Sequence, residues 1–249
     1  MGALDMNLMS NGPCHKSNTD GRNIGFLCGG PPKSGTTLLQ HCLDLHPKLS
    51  CPPEVDLNFL RLSFGEVFKK FNERNEKISA RTSNHLNLEM SHQRIDQVFA
   101  NTLAVLSTRE GIDPCNSGLS DNSIVDQLEF YTKTLCQTKI ILIFRHPIKT
   151  AISSWKHNHR IAQKENNPQI IDQIMRFGGL DGWVVQTAIQ FSRRASFAQD
   201  LSEKNPNVKI VKYEDLVSKK RLQLIDLYNF LDVSFDGDLL NLIERESDF

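Results

Sequence analysis

Residues 24–39 read Ile-Gly-Phe-Leu-Cys-Gly-Gly-Pro-Pro-Lys-Ser-Gly-Thr-Thr-Leu-Leu, and the order of these residue types decides the fold. Ile24, Phe26, Leu27 and Cys28 form an apolar run that meets two glycines and two prolines. Beyond Lys33-Ser34-Gly35-Thr36-Thr37, the residues Leu38, Leu39, Cys42 and Leu45 recur at helical spacing. This predicts a strand, a tight loop and a helix with Gly35-Thr36-Thr37 in its first turn. Backbone N–H groups at a helix start lack intrahelical partners and carry the positive end of the dipole. Together with an ammonium and three hydroxyls they make a cradle for a phosphate or a similar tetrahedral anion.

Set against the nucleotide-binding pattern G-x-x-x-x-G-K-[ST], residues 30–37 keep both glycines and the final Thr. Thr36 stands where the lysine belongs, and the lysine has moved to Lys33. In an NTP site that lysine reaches the terminal phosphates and the hydroxyl holds Mg²⁺. A displaced lysine suggests a related cradle for a different group, handled without a metal.

Further along, Lys-Ile-Ile-Leu-Ile-Phe at 139–144 reads as a buried parallel strand, and Arg145-His146-Pro147 ends it with proline in the first turn of a helix. Arg145 then lies just past the C-terminal edge of a strand, where open α/β sheets bind ligands. Ser153 follows eight residues later, a little over two helical turns on. A guanidinium fork and a hydroxyl suit a second phosphate.

Between and beyond these stretches, strand and helix patterns alternate. Residues 55–71 read as a helix broken near Gly65, and residues 95–106 as another. A short strand is expected at Gly118-Leu119-Ser120, and a helix from Ile124 to Leu135. A long helix over 184–198, a strand at 208–211 and a helix at 224–231 complete the pattern. Alternation of this kind implies a parallel sheet covered on both faces: a three-layer α/β sandwich with a P-loop-like architecture. Residues 1–22 are polar and turn-rich and read as a leader, which leaves one domain over 23–249.

Composition narrows the class. Lys+Arg and Asp+Glu number 29 each, so the chain lacks the basic excess of a general nucleic-acid binder. No run of 18 apolar residues is present, and residues 1–10 lack the basic and apolar regions of a signal peptide. A cytoplasmic protein without stable membrane insertion is expected. Six scattered cysteines with no C-x-x-C pair read as reduced thiols, mostly small core residues. His157 and His159 diverge by about 200° on a helix, which argues against a metal pair. Trp155 and Trp183 read as core, and Lys219-Lys220-Arg221 as a solvated run. The number of subunits is not legible.

Together, Pro32-Lys33-Ser34-Gly35-Thr36-Thr37-Leu38-Leu39 and Arg145-His146-Pro147-Ile148-Lys149-Thr150-Ala151-Ile152-Ser153 resemble the two nucleotide motifs of the PAPS-dependent sulfotransferases. They occur in the family's order, about 110 residues apart. Tyr213-Glu214-Asp215-Leu216 is similar to a third, weaker family segment. The resemblance implies that Lys33, Ser34, Gly35, Thr36 and Thr37 hold the 5′-phosphate and sulfonate. It further implies that Arg145 and Ser153 hold the 3′-phosphate, and that Tyr213 lies against the nucleotide. The reaction implied is metal-free, in-line transfer of a sulfonate from PAPS to a hydroxyl or amine of a small-molecule or glycan acceptor. Lys33 would offset charge on the leaving oxygen.

Members of the family differ in their base. The comparable stretch Ser117–Asn122 has no histidine of the cytosolic type, whereas His46–Glu54 resembles the glutamate-bearing segment of the glycan and protein-tyrosine branches. That resemblance places Glu54 as general base. A lysine common in the family near the central strand is missing from Ser120-Asp121-Asn122. The sequence also ends at Phe249, where relatives continue into a basic loop over the 3′-phosphate. Either the chain is short there or another segment closes the site. Two alternatives stay open from the sequence: a Mg²⁺-dependent P-loop kinase and a catalytically inactive nucleotide-binding relative.

Overall fold

The computed structural model describes residues 24–82, 89–165, 169, 172 and 175–246. The leader at 1–22 lies outside the described residues. Four strands form one parallel sheet: β1 (Phe26–Gly29), β2 (Gly118–Ser120), β3 (Lys139–Phe144) and β4 (Val208–Lys212), in the order β2-β1-β3-β4. The helices are α1 (Thr36–Asp44), α2 (Leu57–Thr82), α3 (His92–Ser107), α4 (Leu128–Thr134), α5 (Pro147–Lys164) and α6 (Gly179–Lys204). After β4 come α7 (Tyr213–Ser218), α8 (Lys220–Phe230) and α9 (Gly237–Glu246).

Alternation along the strands makes two cores. Phe26, Cys28, Ile141, Ile143 and Val211 face one side, against Leu39, Cys42 and Leu43 of α1, Leu216 of α7, Leu224, Leu227 and Tyr228 of α8, and Leu240 and Ile243 of α9. Leu27, Leu119, Ile140, Leu142, Phe144 and Val208 face the other, against Leu57, Phe99, Leu103, Leu128, Tyr131 and Ala198. Side chains that alternate in this way must be covered on both faces, which yields the expected three layers. The chain leaves β1 for β2 on one side, and β3 and β4 lie on the other, so the sheet's switch point sits at β1. A crevice at the carboxyl ends of the strands is expected there.

Several local expectations needed correction. The helix expected to break near Gly65 runs unbroken from Leu57 to Thr82. A Cβ at Gly65 would meet nothing within 4 Å, so that glycine sits on an open face. There it costs the helix about 1 kcal/mol, too little to break it. The segment after β2 starts as a 3₁₀ helix at Asn122–Gln127 before turning α-helical at Leu128. Helices α7 and α9 had no clear signal in the sequence. Lys219, Lys220 and Arg221 are not simply solvated: Lys219 pairs with Asp215, Lys220 Nζ donates to the Glu244 carbonyl, and Arg221 bridges Asn241 and Glu244.

Cys28, Cys42, Cys51 and Cys115 are in no disulfide, as expected, but Cys136 is disulfide-bonded, which the sequence did not lead one to expect. Among the described residues no helix is long and apolar enough to cross a membrane.

The buried Tyr228 locks α8 to α1 by donating its hydroxyl to the Cys42 carbonyl at 2.8 Å. Replacing Tyr228 with Phe leaves that carbonyl without its donor while keeping the ring. Urea denaturation should show a loss of about 1–3 kcal/mol, the usual penalty for a buried polar group left unpaired.

Candidate active site

Most of the site residues follow the C-terminal end of a strand; Glu54, between α1 and α2, and Ser153, within α5, do not. The anion loop follows β1, Asp121 and Asn122 follow β2, Arg145 follows β3 and Tyr213 follows β4. The fold therefore gathers motifs far apart in sequence into one crevice.

The loop is built for close approach. Ser34 N–H bonds to the Pro31 carbonyl at 3.1 Å, which closes the turn. A Cβ at Gly30 would lie 2.2 Å from the Ile143 carbonyl oxygen, so only glycine lets the loop sit this low against β3. Lys33 has φ 69° and Gly35 has φ 105°, both left-handed. For Lys33 that conformation costs about 1–2 kcal/mol, a strain that clusters at functional positions. The Ser34 hydroxyl is buried without a partner among the described residues. Helix α1 begins immediately after, at Thr36. An oxyanion placed in this loop would give Ser34 Oγ the partner it lacks.

Gly35 joins this loop to the second motif. A Cβ there would lie 2.3 Å from a Tyr213 ring carbon, so the tyrosine ring packs flush against the glycine. The same ring carries the Arg145 guanidinium, 4.6 Å from its centroid. The Arg145 Nε–H is buried and has no hydrogen-bond partner among the described residues. Next to it, the Glu214 carboxylate accepts from His146 N–H at 3.1 Å. Tyr213 and Glu214 thus hold the Arg145 turn from below, a role the sequence did not assign to them. Ser153 lies on the helix that starts at Pro147, but it does not line the cavity of about 220 Å³ between Pro31, Arg145, Thr150 and Phe191.

Glu54 is placed by its contact with the end of β2. It is exposed, accepts from Asn122 Nδ2 at 2.6 Å, and its charge acts on Lys33. Burial is the main influence on the Lys33 ammonium and pushes its pKa down; Arg160 pushes it further down, and Glu54 opposes both. His157 is lowered likewise, by burial and then by Lys33 and Arg160. Arg160 Nη2 lies 3.4 Å from His157 Nδ1. Lys33 and Arg160 are therefore neighbouring positive charges with Glu54 as counter-charge, and His157 beside them is held toward its neutral form. Neither His157 nor Arg160 stood out in the sequence as part of the loop's surroundings. The available signal was their spacing from Ser153, four and seven residues along the same helix face. His159 points elsewhere and stacks on Trp155 with ring centroids 5.0 Å apart. Trp155 and Trp183, expected in the core, are only partly buried, each with an unpartnered indole N–H. Among the described residues no group of His, Cys, Asp and Glu is arranged to hold a metal ion.

The Gly35–Tyr213 contact can be tested by stability alone. Gly111 also has a left-handed φ, 79°, but a Cβ there would meet nothing within 4 Å. Gly111→Ala should cost about 1–2 kcal/mol for its backbone. Gly35→Ala should cost clearly more by chemical denaturation, because the tyrosine ring must also move. Equal losses would mean that the ring does not press on Gly35.

The family model described as the sulfotransferase family matches residues 26–237. Among solved structures, sulfotransferase STF9 from Mycobacterium avium superposes with a TM-score of 0.57 at 15% identity, covering 91% of this chain and 68% of that one. A sulfotransferase from Alicyclobacillus acidocaldarius gives 0.50 at 16% identity, covering 86% and 87%. At such identities these two likenesses concern the fold. No curated protein matches the sequence. The family match takes in the anion loop, Glu54, Arg145, Ser153 and Tyr213, and the chain belongs to the sulfotransferase family.

Proposed function

We propose that the chain transfers a sulfonate from PAPS to a hydroxyl or amine of a polar acceptor, a glycan being the favoured class. The observation that carries this reading is the pair of contacts made by the Tyr213 ring, which touches Gly35 of the anion loop and also carries the Arg145 guanidinium. Two anionic sites so joined suit a nucleotide with phosphates at both its 5′ and 3′ positions. The donor set agrees: Ser34 Oγ and Arg145 Nε each lack a partner and each would gain one from a phosphate oxygen. Family membership replaces the P-loop kinase alternative.

In this reading Lys33, Ser34, Gly35, Thr36 and Thr37 hold the 5′-phosphate and sulfonate, Arg145 and Ser153 hold the 3′-phosphate, and Tyr213 lies against the nucleotide. PAPS supplies a sulfonate already activated by its bond to a phosphate, so no metal is required of the protein. Lys33 is positioned by a strained backbone and stabilises negative charge that develops on the leaving oxygen. Glu54 takes the acceptor's proton and is the general base. Its carboxylate lies close enough to Lys33 to influence that ammonium, so base and leaving-group cation occupy one crevice.

The polar character of residues 72–92, 107–122 and 156–180 favours a polar acceptor. The direct experiment is transfer of radiolabelled sulfonate from PAPS to a panel of unsulfated glycans, tyrosine peptides and phenols. Labelled product on a glycan supports the full reading, and no labelled product on any acceptor removes it. Glu54→Gln should lower turnover by at least about a hundredfold and leave nucleotide affinity intact, in line with the usual worth of a positioned base. Turnover near that of the wild type would remove Glu54 from the base position.

Lys33 sets the alkaline side of the pH profile. It must be protonated to stabilise the leaving group, and Arg160 lowers its pKa. Arg160→Gln removes a like charge, so the Lys33 pKa rises and activity persists to higher pH. An alkaline limb that stays in place would show that Lys33 is not the group titrating there.

A further inference from the structure

Three successive residues at the end of β2 hold the segment that carries Glu54. The Ser120 carbonyl accepts from Val55 N–H at 3.0 Å. The buried Asp121 carboxylate accepts from Leu57 N–H at 2.8 Å and from Ser123 N–H at 2.5 Å. Asn122 Nδ2 donates to Glu54 Oε1 at 2.6 Å. The first two residues fix the backbone just after Glu54, and the third fixes the carboxylate.

That last bond has a chemical consequence. A carboxylate that gives one oxygen to an amide donor keeps the other for an incoming proton, and its plane is set by the amide. Asparagine suits the task because its amide donates to the carboxylate without carrying a proton it could transfer. A lysine at the same place would make the carboxylate a weaker base, and a neutral histidine would compete for that proton. The position also carries a cost that packing does not explain: Asn122 Oδ1 is buried with no partner among the described residues. A buried polar atom left unpaired is unfavourable and usually marks a function served by the rest of the group. Here the rest of the group is the N–H pointing at Glu54.

We propose that Asn122 is a positioning residue for sulfonate transfer. Its side-chain amide holds Glu54 Oε1 and leaves Oε2 to receive the acceptor's proton. This rests on the reading of Glu54 as the base. It also accounts for the missing family lysine at Ser120-Asp121-Asn122: in this chain the segment serves the base.

The test uses the whole chain, labelled PAPS and whichever acceptor of the panel takes the most label. Asn122→Ala should lower kcat by about tenfold or more while the affinity for 3′,5′-adenosine bisphosphate stays within about twofold. Combined with Glu54→Gln it should cost little beyond Glu54→Gln alone, because a positioning residue has nothing left to position. Asn122→Asp keeps the shape and sets a second carboxylate against the first, so the acidic limb of its pH–rate profile should move to higher pH. An Asn122→Ala rate within about twofold of wild type, a loss that adds fully to that of Glu54→Gln, or an unmoved acidic limb in Asn122→Asp would each overturn the proposal. A slow Glu54→Gln beside a normal Asn122→Ala overturns the role of Asn122 alone. A fast Glu54→Gln, or no transfer by the wild type, overturns the base reading and this proposal with it.

Discussion

The crevice depends on the contact between Gly35 and the Tyr213 ring. Any side chain at position 35 would occupy the space of that ring, since a Cβ would lie 2.3 Å from it. The ring in turn supports the Arg145 guanidinium, 4.6 Å from its centroid. The anion loop after β1, the Arg145 turn after β3 and the start of α7 after β4 therefore share one small volume. None can shift without the others. Glu214 reinforces the arrangement by bonding to the backbone at His146.

The electrostatics follow from that packing. Burial and Arg160 both disfavour the Lys33 ammonium, and Glu54 is the nearby charge that sustains it. Glu54 and Lys33, the proposed base and leaving-group cation, are thereby coupled even before a substrate arrives. Asn122 ties the same glutamate to the end of β2. A parallel sheet concentrates its functional residues at one edge for this reason: every strand delivers its next residue to the same side.

Much of this was legible in the sequence because it is local. The strand, loop and helix from Ile24 to Leu45 and the strand and helix around Arg145 are written in apolar spacing, glycines and a proline at a helix start. Gly35 and Tyr213 were each singled out, but their contact joins residues 178 positions apart and has no local signature. The same holds for Asn122 and Glu54, which are 68 residues apart. His157 and Arg160 were missed for a different reason. Their charge reads as solvated until a fold brings Lys33 beside them. Gly65 misled because a glycine on an open helix face resembles one that breaks a helix.

A two-phosphate crevice makes one demand of its ligand that a single anion loop does not. Titration calorimetry should compare 3′,5′-adenosine bisphosphate with 5′-AMP and with ATP in the presence of Mg²⁺, for the wild type and for Arg145→Ala. The bisphosphate should bind at least about tenfold more tightly than 5′-AMP, the worth of one charge-assisted contact, and Arg145→Ala should erase that margin. Tighter binding of ATP, or a margin that survives the loss of Arg145, would contradict a site built for phosphates at both ends of the nucleotide.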